Sequence, residues 1–294
     1  MSAERPVISV VVPTKGRLSY LERCLEALRN TDFERQRFEV VVANDRGGEG
    51  VDSLVGSFAD ELTVAIARPQ RSGPSAARNA GAAVSRGAYV AFTDDDCEPS
   101  PAWLTALRRS LEANPGAAVG GRIENGVPED LGAVASQVVV DAVHAHFNQD
   151  PGAPRFFASS NVAFPADAFQ AVGGFDEDSL YAEDRELCER WIRTGHRFVS
   201  APQAVVVHMR TLGLREFMGQ HYGYGRGARS FHRYRSPKQR RADRLGVLRE
   251  VSREALRRHE DRGRLAVAGY AALSQLATAA GWARETVGRS ARPR

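Results

Sequence analysis

The stretch SRGAYVAFTDDDCEPSPAWL, residues 85–104, joins an apolar run to a helical pattern through three consecutive carboxylates. Ala88–Phe92 shows no polar alternation, so it predicts a strand covered on both faces, as in a parallel sheet flanked by helices. Pro101–Ala113 then reads as a helix, with Pro101 where a first turn tolerates it. Between them lie Asp94, Asp95 and Asp96. Adjacent carboxylates repel one another. A divalent cation that prefers hard oxygen ligands, Mg²⁺ or Mn²⁺, removes that penalty. The plainer reading is a solvated turn whose aspartates cap the next helix. A position at the carboxyl end of a buried parallel strand favours the metal.

The same rhythm extends outward. Val7–Val12 is a β-branched run closed by Pro13, and Leu18, Leu21, Leu25 and Leu28 recur at helical spacing up to about Asn30. Phe38–Ala43 and Leu62–Ala67 predict two more strands, and Gly73–Ser85 an alanine-rich helix. This alternation predicts an α/β fold with a doubly wound, mostly parallel sheet. Residues 124–155 interrupt it. Asn, Gly and Pro flank a helical stretch at Leu131–Phe147, which predicts a flexible crossing element. Phe156–Phe164 reads as extended and Glu183–Thr194 as a helix ended by Gly195. Ala204–Val207 reads as a short strand running into His208. From Leu214 onward the chain reads as helical and basic.

The 294 residues, 43% hydrophobic and 26% charged, suit one large domain or a domain with an appendage. The net charge of +4 hides a split. Residues 1–209 carry 20 basic and 29 acidic side chains, a balance of −9, whereas residues 210–294 carry 20 and 7, a balance of +13. This excludes a uniformly charged nucleic-acid coat and a disordered polyelectrolyte. No apolar run reaches the roughly 18 residues of a membrane-spanning helix. The start MSAERPVISVVVP lacks the features of a secretory leader. Cys24, Cys97 and Cys188 are odd in number and far apart, which predicts reduced thiols in a cytoplasmic protein.

Four polar clusters fall at the carboxyl ends of predicted strands, where open α/β sheets bind ligands. They are Thr14-Lys15-Gly16-Arg17, Asn44–Gly48, Arg68–Asn79 and Asp94–Asp96. Asp45 reads as an acceptor for a nucleobase or ribose, or as a turn residue. Arg78 reads as a solvated helix position, or as a cation beside the acidic cluster and a diphosphate. Glu183-Asp184 opens a helix, where acidic side chains are favoured in any case.

In order and spacing, ISVVVPTKGR (8–17), FEVVVANDRGG (38–48), GPSAARNAG (73–81), the 85–104 stretch, GGFDEDSLYAEDRELCERWIRTGHR (173–197) and AVVVH (204–208) resemble the family 2 glycosyltransferases. These are inverting enzymes of the GT-A fold. The resemblance spans about Pro6 to Tyr224. It implies a GT-A catalytic domain over residues 1–212, with a nucleotide-binding half to about 123 and an acceptor-side half over 124–212. A basic, mainly helical C-terminal extension over 213–294 follows. The implied reaction moves a sugar from a nucleotide-diphosphate donor to the hydroxyl of an acceptor that the sequence does not name. The resemblance makes Pro13, Thr14, Arg17, Asp45, Arg78, Asp94 and Asp95 donor-binding. It makes Asp94 and Asp96 a DxD motif, with Asp96 the direct ligand of Mn or Mg and His208 completing the metal site. Asp184 is the implied catalytic base, with Glu183 as second candidate. Gly174 and Phe175 fall on the acceptor side, as does Trp191, which reads as a core residue or a sugar-stacking ring. An aspartate at its ordinary pKa of about 4 is ionised at pH 7, so Asp184 needs no shift to act as base. The chain departs from the family at Lys15-Gly16, where Tyr-Asn is common, and at Asn44-Asp45-Arg46, where paired aspartates and Gly-Ser are common.

In HYGYGRGARSFHRYR, residues 221–235, arginines interleave with aromatic rings. The pattern suits nucleic-acid stacking, a platform for a diphosphate or anionic acceptor, an acidic lipid surface, or a helix packed on the acidic body. Beside the resemblance, nucleic acid is the weakest of these. Peripheral contact at the inner face of a membrane and homo-oligomerisation through Leu265–Val287 remain as roles for the tail. Two rival functions fit less well. A sugar nucleotidyltransferase carries a glycine-rich loop where PTKGR stands. A non-catalytic nucleotide- or nucleic-acid-binding protein has no need of Asp94, Asp96, Asp184 and His208 together.

Overall fold

The structure is a computed structural model that describes residues 5–179, 181–257 and 262–290. The first part is a strand–helix alternation: β1 (Ile8–Thr14), α1 (Leu18–Arg29), β2 (Phe38–Asn44), α2 (Gly48–Ser57), β3 (Val64–Ala67), α3 (Pro74–Val84) and β4 (Tyr89–Phe92). There follow β5 (Cys97–Pro99), α4 (Trp103–Ala113), β6 (Ala118–Asn125), α5 (Leu131–Phe147), β7 (Val162–Pro165), α6 (Ala166–Ala171), α7 (Glu183–Arg193) and β8 (Phe198–His208). The helices α8 (Leu214–His232), α9 (Pro237–Arg257) and α10 (Arg262–Ser290) come last.

The strands form one sheet in the order β3-β2-β1-β4-β7-β6-β8-β5. β3, β2, β1 and β4 pair in parallel, and β1, β2 and β4 are largely apolar and buried, with Ser9 of β1 donating to Glu39 of β2 at 2.6 Å. β7 enters antiparallel between β4 and β6, and β5 lies antiparallel on β8. The sheet is therefore mixed. Two core layers cover it. Leu21, Leu25, Leu28, Trp103 and Leu104 pack on one face, and Phe92, Phe164, Phe169, Phe175 and Trp191 on the other.

This topology fixes the place of α5. β6 ends, and the antiparallel β7 begins, at the same carboxyl edge where β1, β2 and β4 end. The helix between them stays at that edge instead of crossing a face. The flexible crossing element expected over residues 124–155 is thus corrected. The segment holds the end of β6 and a 17-residue helix, apolar around most of its circumference and largely buried. It is buried because α9 and α10 cover its outer side, Val134, Val138 and Ala142 meeting Val251, Ala255, Val267 and Ala271.

Part of the interleaved stretch packs on the acidic body. Arg233 donates to Glu186 at 2.7 Å and Asp176 at 3.0 Å, Arg235 to Glu189 at 2.9 Å, and the Tyr234 hydroxyl to Glu186 at 2.9 Å. Phe231 is in the core. Residues 258–261 and 291–294 of the expected extension lie outside the described residues. Cys24, Cys97 and Cys188 are unpaired and buried. Among the described residues no helix is long and apolar enough to cross a membrane.

Candidate active site

The carboxyl edge of the sheet opens into a cavity of about 600 Å³. Pro13, Thr14, Arg17, Asp45, Arg78, Asp94, Asp95, Asp96, Glu183, Asp184 and His208 all line it. At one end lies Asp45, buried to 3% exposure. Its Oδ2 accepts from the Gly73 N–H at 3.0 Å and the Ser72 hydroxyl at 3.2 Å, and Lys15 Nζ lies 4.0 Å away. The loops after β1 and β2 meet here. Gly16, at φ +92°, sits against Gly47 so closely that a Cβ would fall 2.9 Å from the Gly47 Cα. The departure from Tyr-Asn at Lys15-Gly16 is thus a tight loop-to-loop contact.

The three aspartates have separate partners. Thr14 Oγ1 donates to Asp95 Oδ2 at 2.6 Å, and Arg17 binds both Asp95 and Asp96, the latter at 2.7 Å. Burial raises the Asp95 carboxyl above its ordinary range, against the pull of Arg17 and Thr14. Asp94 accepts from Arg78 Nη2 at 2.6 Å and is the most exposed of the three. Asp96 Oδ1 lies 3.4 Å from His208 Nε2. Burial pushes the Asp96 carboxyl up, but His208 and Arg17 outweigh it and hold the group well below the ordinary range.

Strand pairing builds the Asp96–His208 contact. β5 runs antiparallel to β8 with Cys97 opposite His208, and the Met209 N–H donates to the Asp96 carbonyl at 2.8 Å. Asp96, Cys97 and His208 each bring a ligand atom within 4.8 Å of the others. Burial holds the Cys97 thiol far above its ordinary value, so it stays protonated and packs in the core. The usable donor set is one carboxylate oxygen and one imidazole nitrogen, with Asp94 at the mouth. This set fits a divalent cation of the Mn²⁺ kind.

Arg78 is no solvated helix position. It is 4% exposed and links Asp94 to Glu183, donating to Glu183 Oε1 at 2.8 Å, with the Phe175 ring centroid 5.5 Å from its Cζ. Glu183 is therefore engaged. Asp184 accepts the backbone N–H of Arg185 at 2.7 Å and faces the cavity. The turn into α7 aims it there, since Ala182 takes a left-handed conformation at φ +55°. Enclosure away from bulk water, together with the charge of Glu183, pushes the Asp184 carboxyl up to about 7. The expectation that this group sits at its ordinary pKa is corrected.

Gly174, Phe175 and Trp191, expected on the acceptor side, do not line the cavity. Asn79 clamps the Phe175 backbone, its Nδ2 donating to the Phe175 carbonyl and its Oδ1 accepting the Phe175 N–H, each at 2.9 Å. Arg190 binds the Gly174 carbonyl at 2.7 Å. This turn supports Arg78 from below. Trp191 is fully buried against Phe164 and Phe198, and its Nε1 donates to the Arg197 carbonyl at 3.0 Å. Its core reading holds.

Several lining residues were not anticipated individually: Arg210, Ser136 and Gln137 of α5, Ser159 and Ser160 before β7, and Gln220 and His221 of α8. Gln220 and Tyr224 are four apart on a helix, a spacing that puts them on one face and offered a readable signal. Arg210, two residues past His208, offered another.

A mixed, curled α/β sheet flanked by helices, with its cavity at the carboxyl edge, is the GT-A architecture. The mannosyltransferase PcManGT from Pyrobaculum calidifontis, solved in complex with GDP-Man and Mn²⁺, superposes with a TM-score of 0.69 at 19% identity, covering 97% of this chain and 88% of that one. TarS 1–349 of Staphylococcus aureus in complex with UDP gives 0.55 at 16% identity, covering 97% and 93%. At these identities the likeness is one of fold. The family described as Glycosyl transferase family 2 matches residues 9–173, and the chain belongs to it. The pre-mycofactocin glycosyltransferase of Mycobacterium tuberculosis is 29% identical over 227 residues, 75% of this chain and 46% of its own length. Glycosyltransferase AglE of Haloferax volcanii is 24% identical over 231 residues, 77% of this chain and 74% of its own length. The chain thus spans about half the first relative and about three quarters of the second.

Proposed function

We propose that the cavity is the reaction centre of an inverting, metal-dependent glycosyltransferase that uses a nucleotide-diphosphate sugar. The observation that carries this reading is one sheet edge bearing three groups together: the Asp45 pocket, the Asp94–Asp96 cluster with His208, and Asp184 facing the same space. Asp45 has one oxygen engaged by Ser72 and Gly73, which leaves the other for a nucleobase or ribose. Pro13 and Thr14 flank that position. Arg17 and Thr14 hold Asp95 in place.

Asp96 and His208 would hold the cation, and their oxygen–nitrogen pair suits Mn²⁺ better than Mg²⁺. When bound, the ion offsets the charge that grows on a departing nucleoside diphosphate. Lys15 and Arg210 bring positive charge to the same space. Asp184 takes the proton of the acceptor hydroxyl as its oxygen attacks the anomeric carbon from the face opposite the diphosphate, and this single displacement inverts the configuration. Glu183, engaged by Arg78, is a positioning residue. The test is a panel of UDP-, GDP- and dTDP-sugars with Mn²⁺, scored by slow release of the nucleoside diphosphate. One class of donor should be cleaved in a metal-dependent way. Cleavage of none overturns the reading.

A further inference from the structure

Between α5 and α8 the cavity has a side, here called the chamber, that the donor groups leave unexplained. α5 forms one wall with Val139, Val140 and Val143, and α8 forms another with Gln220, His221 and Tyr224. His221 is 1% exposed, yet neither of its ring nitrogens has a hydrogen-bond partner among the described residues. Native folds rarely leave a buried polar side chain so. The ring is held by Phe217, at 4.2 Å between centroids, and by Tyr224 at 5.4 Å. Burial pushes the imidazole down to about 4, so at pH 7 it is neutral, with one donor and one acceptor nitrogen. Gln220 Nε2 donates to the Tyr224 hydroxyl at 3.0 Å and to Ser136 Oγ at 2.9 Å. The Tyr224 proton is left for a group in the chamber. Tyr224 lines the same cavity as Asp184 and Glu183.

We propose that this chamber is the acceptor subsite and that it takes a single hydroxylated ring, a sugar or cyclic polyol unit. Its C–H face lies on Val140, Val143 and Phe156, and its hydroxyls bond His221 and Tyr224. The proposal rests on the glycosyl-transfer reading above. Size argues for one ring: about 600 Å³ in all lies within the roughly 300–1,000 Å³ of a pocket for one drug-sized ligand. Little of it remains beside a donor. Chemistry argues for a hydroxylated ring, because α5 offers the aliphatic side chains of Val139, Val140 and Val143 beside the polar Ser136 and Gln137, and α8 carries neutral hydrogen-bonding groups left unsatisfied. In the transfer, one hydroxyl oxygen on the acceptor ring bonds the anomeric carbon as the bond from that carbon to the diphosphate oxygen breaks. The proton goes to Asp184, and the electron pair of the broken bond leaves with the nucleoside diphosphate.

The test incubates the full chain, Mn²⁺ and the donor identified by the panel with methyl glycosides of glucose, mannose, galactose and N-acetylglucosamine, and with myo-inositol. Products are read by mass spectrometry as the gain of one sugar. At least one probe should be glycosylated. His221→Phe should lower that transfer about thirtyfold, the loss expected for one buried hydrogen bond to substrate, while affinity for the nucleoside diphosphate is unchanged. It should also raise the melting temperature by a few degrees, since an unpartnered polar ring becomes apolar. Val140→Trp, which fills the chamber from the opposite wall, should give the same loss of transfer. Donor cleavage with no glycosylated probe overturns the proposal and leaves the donor-site reading standing. No donor cleavage overturns both. Transfer that survives both substitutions makes His221 a core residue and also overturns it.

Discussion

Donor cleavage should follow the ionisation of Asp184. Its carboxyl faces the cavity, where burial and the charge of Glu183 push it up to about 7. An aspartate at the ordinary value of about 3.9 would be ionised throughout the neutral range and give a flat profile. With a value of about 7, about a tenth is ionised at pH 6 and about a hundredth at pH 5, so kcat/KM should fall about tenfold per unit on the acid side. Glu183→Gln removes the like charge and should move the acid limb down by about one unit. The same shift affects stability. Between about pH 4 and pH 7 the native chain holds a proton that the unfolded chain has released, so stability falls as pH rises through that window and stays low above it. About three units correspond to about 4 kcal/mol at most, and cavity water around a half-buried carboxylate lowers this to about 2 kcal/mol. Asp184→Asn, with no charge to bury, should therefore exceed the wild type in stability by about 2 kcal/mol at pH 8, and the gap should close near pH 4. The assays are nucleoside diphosphate release at saturating Mn²⁺ and constant ionic strength, and urea denaturation at the two pH values. A flat rate profile, or an Asp184→Asn advantage that does not depend on pH, would refute the reasoning.

Three further outcomes follow. Asp96→Ala and His208→Ala should each abolish the Mn²⁺ dependence of nucleotide binding in calorimetry, and unchanged titration curves would remove both from the metal site. Glu186 is fully buried and bonded to Arg190, Arg233 and Tyr234, so Glu186→Ala should cost about 3 kcal/mol in denaturant unfolding. Burial raises the Glu186 carboxyl, but Arg190, Arg233 and Tyr234 outweigh it and hold it below the ordinary glutamate range. Its stabilisation is then complete above that range and lost as pH falls through the lowered value, which melting curves taken in acid would check. Finally, proton NMR at early times should show the sugar released from an α-linked donor first as the β anomer. First appearance of the α anomer would exclude a single displacement.

The parallel half of the sheet was legible because β1, β2 and β4 are mostly apolar, β-branched or aromatic runs with helical spacing between them. α2 was not read as a helix, because Gly47, Gly48 and Gly50 suggest a loop; Val51, Leu54 and Val55, at helical spacing, were its apolar signal. β6 was obscured by Gly120 and Gly121, which lower strand propensity. The fold needs glycine there, since a Cβ would fall 1.8 Å from the Phe157 ring and 2.1 Å from the Ala204 carbonyl oxygen, respectively. The order of the site motifs brought Asp45, the three aspartates, Asp184 and His208 to one cavity. What order did not reveal was where a residue stands relative to that cavity. Phe175 and Trp191 sit in the right segments but point into the core. His221 and Tyr224, from a stretch read for its charge, reach the cavity because α5 stays at the sheet edge and α8 packs over it. The raised Asp184 carboxyl likewise arises from enclosure and from Glu183 beside it, and only the neighbour is visible in sequence.

The most direct test of the account pairs binding with turnover in Asp184→Asn, using the donor that wild type cleaves. Calorimetry with Mn²⁺ should give the wild-type affinity for the nucleoside diphosphate, while sugar transfer falls by about a thousandfold or more, as for loss of a general base. Parallel loss of nucleotide affinity, or transfer that persists near the wild-type rate, would contradict the assignment of Asp184 as the base in this cavity.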